Sequence, residues 1–142
     1  MTSIVELREM SDDKLRELLE NAREEMFNLR FQVAYARLED YSRLKHVRRE
    51  IARLETVLHM RELAREAALA EPEIASALAG KDWQANVRFS YEDSAWQVEF
   101  VDEKGNELAK ALVDLNKKRP KGRRTRRMKQ QPRLVTSYEI AG

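Results

Sequence analysis

Between Leu15 and Ala36 apolar residues recur at Leu15, Leu19, Ala22, Met26, Leu29, Val33 and Ala36, in steps of 4, 3, 4, 3, 4 and 3, with no Gly or Pro among them. This spacing is a coiled-coil seam, and a chain that carries it must find a second apolar stripe to bury it against. Ser11 is a good N-cap, with Asp12 and Asp13 in the first turn where the helix dipole favours negative charge. A helix is therefore predicted from Asp12 to Arg37, about 39 Å long at 1.5 Å per residue. Met26 to Leu58 also holds the second stripe, Leu44, Val47, Ile51, Leu54 and Leu58, after a short break at Arg37 to Ser42 where Asp40 or Ser42 can cap a new helix. Two such seams across a short connection must face each other antiparallel, because neither buries its stripe alone.

The flanking segments read differently. Ile4, Val5, Leu7 and Met10 form a short apolar cluster ahead of the first helix. The second helix frays or continues through Leu63 to Ala70, and Pro72 either ends it or starts a short helix that closes at Gly80. The period then changes to two: Trp83, Ala85, Val87, Phe89 and Tyr91 alternate with polar residues, and so do Trp96, Val98 and Phe100. Tyr91 to Ala95 and Asp102 to Asn106 are the turns, and Leu108 to Leu115 admits either a helix or a third strand. The expected fold is mostly α. It is a long antiparallel two-helix hairpin, coiled-coil-like, followed by a small α+β extension and a basic, extended C-terminal tail. The corresponding domains are 1–69, 70–116 and 117–142.

The net charge of +2 conceals a strong asymmetry. Residues 1–69 carry 13 Lys and Arg against 14 Asp and Glu, residues 70–116 carry 4 against 10, and residues 117–142 carry 10 against 1. Three electrostatic characters point to three tasks, and the last segment seeks a polyanion. The absence of Cys excludes disulfides and thiolate metal sites, and His46 and His59 lack the partners of a zinc site. No Gly-rich phosphate loop and no Ser, His and acid combination is present, so a non-enzyme without cofactor or small-molecule substrate is expected. The N-terminus does not resemble a signal peptide and no apolar run is long enough to span a bilayer, so a cytoplasmic protein without membrane contact is expected.

Three groups of residues carry the candidate chemistry. Arg16, Arg23, Arg30 and Arg37 repeat every seven residues along one edge of the first seam. They either pair with Glu50 or Glu55 across the hairpin or meet an anion. On the second helix Arg43, Lys45, Arg48, Arg49 and Arg53 have only Glu50 among them, and Lys45, Arg49 and Arg53 fall at i, i+4 and i+8 on the face away from the seam. Like charges at that spacing repel unless phosphates, roughly 6 to 7 Å apart along a nucleic-acid backbone, neutralise them. Phe27, Phe31 and Tyr35 step by four but lie off the seam. Either the N-terminal cluster folds back onto them or they dock RNA or a neighbouring protein. Lys117, Lys118, Arg119, Lys121, Arg123, Arg124, Arg126, Arg127, Lys129 and Arg133 form a basic arm suited to threading between phosphates.

Phe27 to Gln32 (FNLRFQ), Ala36 to Glu39 (ARLE), Leu7 to Leu15 (LREMSDDKL) and above all Ser42 to Leu58 (SRLKHVRREIARLETVL) resemble the bacterial large-subunit ribosomal protein L-twenty-nine family. The resemblance covers about residues 1–66. It implies a long helical hairpin lying on rRNA near the polypeptide exit tunnel, beside ribosomal protein L-twenty-three and within reach of nascent-chain factors. It also implies backbone contacts from Arg30, Lys45, Arg48, Arg49 and Arg53. The chain departs from the family at Asp40 and Tyr41, where Asn-Pro is usual, and beyond residue 70 the likeness ends.

The expected function is thus a structural constituent of the large ribosomal subunit that binds rRNA through a cationic helix face and a basic arm. A coiled-coil adaptor that oligomerises through the hairpin and binds nucleic acid or acidic surfaces through its tail is the alternative. A third reading makes residues 81–115 an independent ligand-binding module.

Overall fold

The computed structural model describes residues 2–116 and 134–141. The chain divides into two compact units, Met1–Met60 and Arg61–Gly142.

The first unit is helical. Helix α1 (Ile4–Glu9) starts at a capping box: Ser3 Oγ accepts from the Glu6 amide at 3.3 Å, and Glu6 Oε2 accepts from the Ser3 amide at 3.1 Å. Helix α2 (Asp12–Ala34) begins at Ser11, whose hydroxyl accepts from the Lys14 amide at 3.3 Å. Helix α3 (Ser42–Leu69) follows, and it continues through the Ala-rich stretch rather than fraying. Leu15, Leu19 and Ala22 pack with Leu54 and Val57, and Met26 and Leu29 pack with Val47. The hydrophobic effect at these contacts, on the order of 1.5 to 3 kcal/mol per fully buried Leu or Val, holds the two helices together.

Helix α2 ends three residues before the predicted Arg37. The Arg37 amide donates to the Gln32 carbonyl at 2.8 Å and the Ala36 amide to the Val33 carbonyl at 3.0 Å, with Ala36 in the left-handed region at φ 55°. These two bonds are the Schellman arrangement, which stops a helix and normally uses Gly at the position that Ala36 holds. Val33 and Ala36, the last seam residues, are consequently exposed. Asp40 then prepares the next helix, its Oδ1 accepting from the Ser42 hydroxyl at 2.6 Å and the Ser42 amide at 2.9 Å. Those two bonds, the hydroxyl first, hold the Asp40 carboxyl below its usual range.

The second unit holds the last turns of α3, helix α4 (Pro72–Leu78) and four strands: β1 (Gln84–Ser90), β2 (Ala95–Val101), β3 (Glu107–Val113) and β4 (Val135–Ile140). The strands form an antiparallel sheet in the order β1-β2-β3-β4. Trp96, Val98 and Phe100 are buried opposite Val113, Ala111 and Ala109 on one face. Helix α4 lies against β3, whose inward Ala109 and Ala111 are small enough to let a helix approach. The two-fold burial alternation of β3 settles the ambiguous segment as a strand from Leu108 to Val113, with Leu115 in the turn beyond it.

One expectation needs correction. Val135–Ile140, counted with the extended tail, is β4 and is hydrogen-bonded along β3, and the Asp114 amide donates to the Leu134 carbonyl at 2.8 Å. Its apolar Val135 is buried, and the Tyr138 hydroxyl donates to the Glu73 carboxylate on α4. Strand pairing satisfies the backbone and the buried Val135 adds apolar burial, which together favour a strand over a solvated arm.

Candidate nucleic-acid interface

The outward side of α3 is built by the same periodicity that buries its inward side. With Val47 and Leu54 inside, Lys45 and Arg49 are turned to solvent, and Arg48 is exposed on a flank. Arg53 is only half-exposed. Among the described residues, Arg30, Arg37, Lys45, Arg48 and Arg49 form no ion pair, so their charge is available to an external anion. Arg43 is different: its Nη2 lies 2.5 Å from Glu25 Oε1, and a phosphate would have to compete with that carboxylate.

The heptad arginines divide in the same way. Arg23 Nη2 donates to Glu55 Oε1 on α3 at 3.0 Å and Nη1 to Glu20 Oε1 at 3.1 Å, and the Glu55 bond first, then Glu20, raises the Arg23 pKa further. Arg16 pairs with Asp13 on its own helix at 3.6 Å. The expected cross-helix pairing thus holds for Arg23 with Glu55. Arg30 and Arg37, the two nearer the connection, are the ones left to solvent.

Phe27, Phe31 and Tyr35 are 60%, 48% and 67% exposed, and the Phe27 and Phe31 rings meet edge to face at 4.8 Å. The N-terminal cluster does not cover them. Leu7, Ile4 and Met10 pack instead in the cluster of Leu15, Leu19, Leu54 and Val57. Tyr41 is also 60% exposed, just past the connection, and was not singled out by the periodicity because it belongs to no helix seam. Asn28 and Gln32 stand exposed between the rings. The basic-arm residues Lys117, Lys118, Arg119, Lys121, Arg123, Arg124, Arg126, Arg127 and Lys129 lie outside the described residues.

In the second unit both tryptophans belong to aromatic contacts, Trp83 with Phe100 at 5.4 Å and Trp96 with Phe89 at 5.2 Å. Trp96 is buried and Trp83 half-buried, so both serve the packing of this unit. Among the described residues no group of three or more His, Asp or Glu could hold a metal ion, and no helix is long and apolar enough to cross a membrane.

Arg30, Arg37, Lys45, Arg48 and Arg49 and the exposed rings Phe27, Phe31, Tyr35 and Tyr41 fall where known proteins match. The family described as Ribosomal L29 protein matches residues 5–61. The large ribosomal subunit protein uL29 of Streptomyces griseus is 52% identical over 62 residues, 44% of this chain and 84% of that protein. Those of Mycolicibacterium smegmatis and Mycobacterium sp. strain KMS are 55% and 59% identical over 58 residues, in each case 41% of this chain and 75% of the relative. Because the shared segment spans most of each relative, and carries the two packed helices and the cations turned away from them, the chain belongs to the uL29 family of large ribosomal subunit proteins.

Proposed function

We propose that this chain binds large-subunit rRNA through the outward face of α3. Family membership makes it a structural, non-enzymatic component of the large ribosomal subunit. The observation that supports the finer reading is the set of exposed cations without an ion pair among the described residues, Lys45, Arg48 and Arg49 on α3 and Arg30 and Arg37 near the end of α2. Helical spacing sets Lys45 and Arg49 about 6 Å apart along the axis. Arg guanidinium groups can meet phosphate bidentately.

In this reading α2 and α3 are an antiparallel hairpin. Residues early in α2 meet residues late in the paired part of α3, and residues late in α2 meet Val47. Residues 1–69 are the anchoring domain and 70–116 a small acidic extension. Residues 117–142 supply the cations of Lys117 to Lys129 as a second phosphate-binding element, which gains affinity by being tethered to the first. The site on the subunit is the neighbourhood of the exit tunnel, beside L-twenty-three and within reach of nascent-chain factors. The family relationship gives no support to an oligomerising adaptor.

Salt titration of binding to large-subunit rRNA tests the reading. Replacing Lys45, Arg49 and Arg53 together by Gln should weaken binding and reduce the slope of log K against log salt by about two to three. An unchanged slope and unchanged occupancy on subunits would remove α3 from the interface.

A further inference from the structure

We propose that the last half of α2, with the turn that follows it, is a stacking platform for unpaired nucleobases, with Phe27, Phe31 and Tyr35 as the stacking rings and Arg30 and Arg37 as phosphate anchors. The inference rests on the rRNA-binding reading above and assigns chemistry to the three rings, which that reading leaves idle.

Charge divides the stretch from Asp12 to Arg37, α2 and the turn after it, into two parts. Asp12 to Glu25 holds six acids and three cations, whereas Met26 to Arg37 holds no acid and two cations. The aromatic rings all lie in the acid-free part, and they are the parts of α2 that packing against α3 leaves uncovered. Exposed rings of this size on a helix end with no carboxylate suit a polyanion that brings its own flat apolar surfaces. Unpaired RNA is such a partner, because its bases can leave the stack and lie on Phe or Tyr while Arg meets the phosphate. The backbone positions that carry them, four residues apart, are spaced about 6 Å along the helix axis, close to the reach of one extended nucleotide. Asn28 and Gln32, exposed between the rings, carry the paired donors and acceptors that base edges require.

An apolar protein partner would use the same rings but has no need of a stretch from Met26 to Arg37 that carries cations and no acid, so nucleobases fit the observations better. Stacking also explains why a hairpin keeps two large rings in solvent at 4.8 Å from each other. Their edge-to-face contact holds each ring steady while leaving a face open.

The test uses the full chain and large-subunit rRNA stripped of protein. The double variant Phe27→Leu and Phe31→Leu keeps apolar side chains of good helix propensity but removes the π faces. It should bind at least about tenfold more weakly with an unchanged salt slope. The double variant Phe27→Tyr and Phe31→Tyr should restore binding, and ultraviolet crosslinking of wild type should place a nucleotide on the peptide from Phe27 to Tyr35. Equal binding by the Leu variant, with wild type showing its normal salt dependence, overturns the stacking site and leaves the α3 reading intact. Equal rRNA binding combined with failure to join subunits overturns it in favour of a protein partner. Wild type that binds rRNA without salt dependence defeats the underlying reading, and the stacking site with it.

Discussion

The two units solve the burial problem in opposite ways. The helical unit keeps a thin core, a stripe of Leu, Val, Ala and Met between α2 and α3, and turns most of its surface outward. The second unit buries a whole sheet face, with Trp96, Val98 and Phe100 on β2 set against Val113, Ala111 and Ala109 on β3. A thin core leaves much helix surface free for display, and Phe27, Phe31, Tyr35, Lys45 and Arg49 stand exposed on it. A sheet core spends its apolar residues inward, and aromatic residues in that unit mostly meet each other. The difference teaches that the less an element has to bury, the more of its surface is left for display.

Four measurements would break or sharpen that contrast. Phe100→Ala removes a fully buried ring from the middle of the sheet and should cost about 3 to 5 kcal/mol. Amide exchange should then show lost protection in β1 to β4 while Leu15 to Leu29 of α2 stay protected, and equal loss in both units would abolish the division. Leu54→Ala, at the centre of the helical stripe, should cost about 2 to 4 kcal/mol by denaturant unfolding and mainly open α2 and α3. Ala36→Gly should act in the other direction and stabilise by about 0.5 to 1 kcal/mol, because the left-handed φ is free for Gly and strained for Ala. Destabilisation by this variant would show that the connection after α2 is not at the conformation described.

The smallest effect is a pH dependence. Asp102 accepts from the Asn106 amide at 2.8 Å and the Lys104 amide at 2.9 Å, which, the Asn106 bond foremost, keeps its carboxyl below the ordinary range. Its folded pKa is depressed, so its contribution to stability is complete above the unfolded carboxylate pKa and is lost as pH falls through the lower folded value. Asp40 behaves with the same sign through Ser42. Carboxyl chemical shifts followed by NMR should show both midpoints below the ordinary aspartate value, and midpoints at or above it would contradict the turn geometry.

Much of the helical unit was legible because steps of three and four are a direct image of a buried stripe. The reading went wrong where no residue type announces the event. The α2 stop depends on a left-handed Ala36, and Ala is the strongest helix former of all. In α3 the buried set passes from Leu54 to Val57 and then to Arg61, which is 5% exposed, whereas the expected seam ran to Leu58. Arg is among the last residues that a pattern of apolar spacing would include. Helix α1 did carry a signal, the Ser3 and Glu6 capping pair, but its six residues are too few for periodicity to show. Strand β4 was hidden by its neighbourhood, since ten cations set the character of the segment and outweighed the β-branched and aromatic residues in Val135–Ile140. Of the proposed interface, the cationic stripe of α3 and the off-seam rings Phe27, Phe31 and Tyr35 were visible in the spacing. The ion pairs that remove Arg23 and Arg43 from it were only partly visible, because they depend on which carboxylate reaches across from the other helix.

The pairing of β3 with β4 changes what kind of variation the chain can tolerate. Val113 and Val135 are register partners, so the residues that separate them in sequence connect two points that the sheet already holds side by side. The entropy of closing such a connection rises only logarithmically, by about 0.6 kcal/mol for each doubling of its length. Insertions or deletions between Asn116 and Leu134 are therefore nearly neutral for the sheet, and the number of cations carried there can drift between lineages without the fold selecting against it.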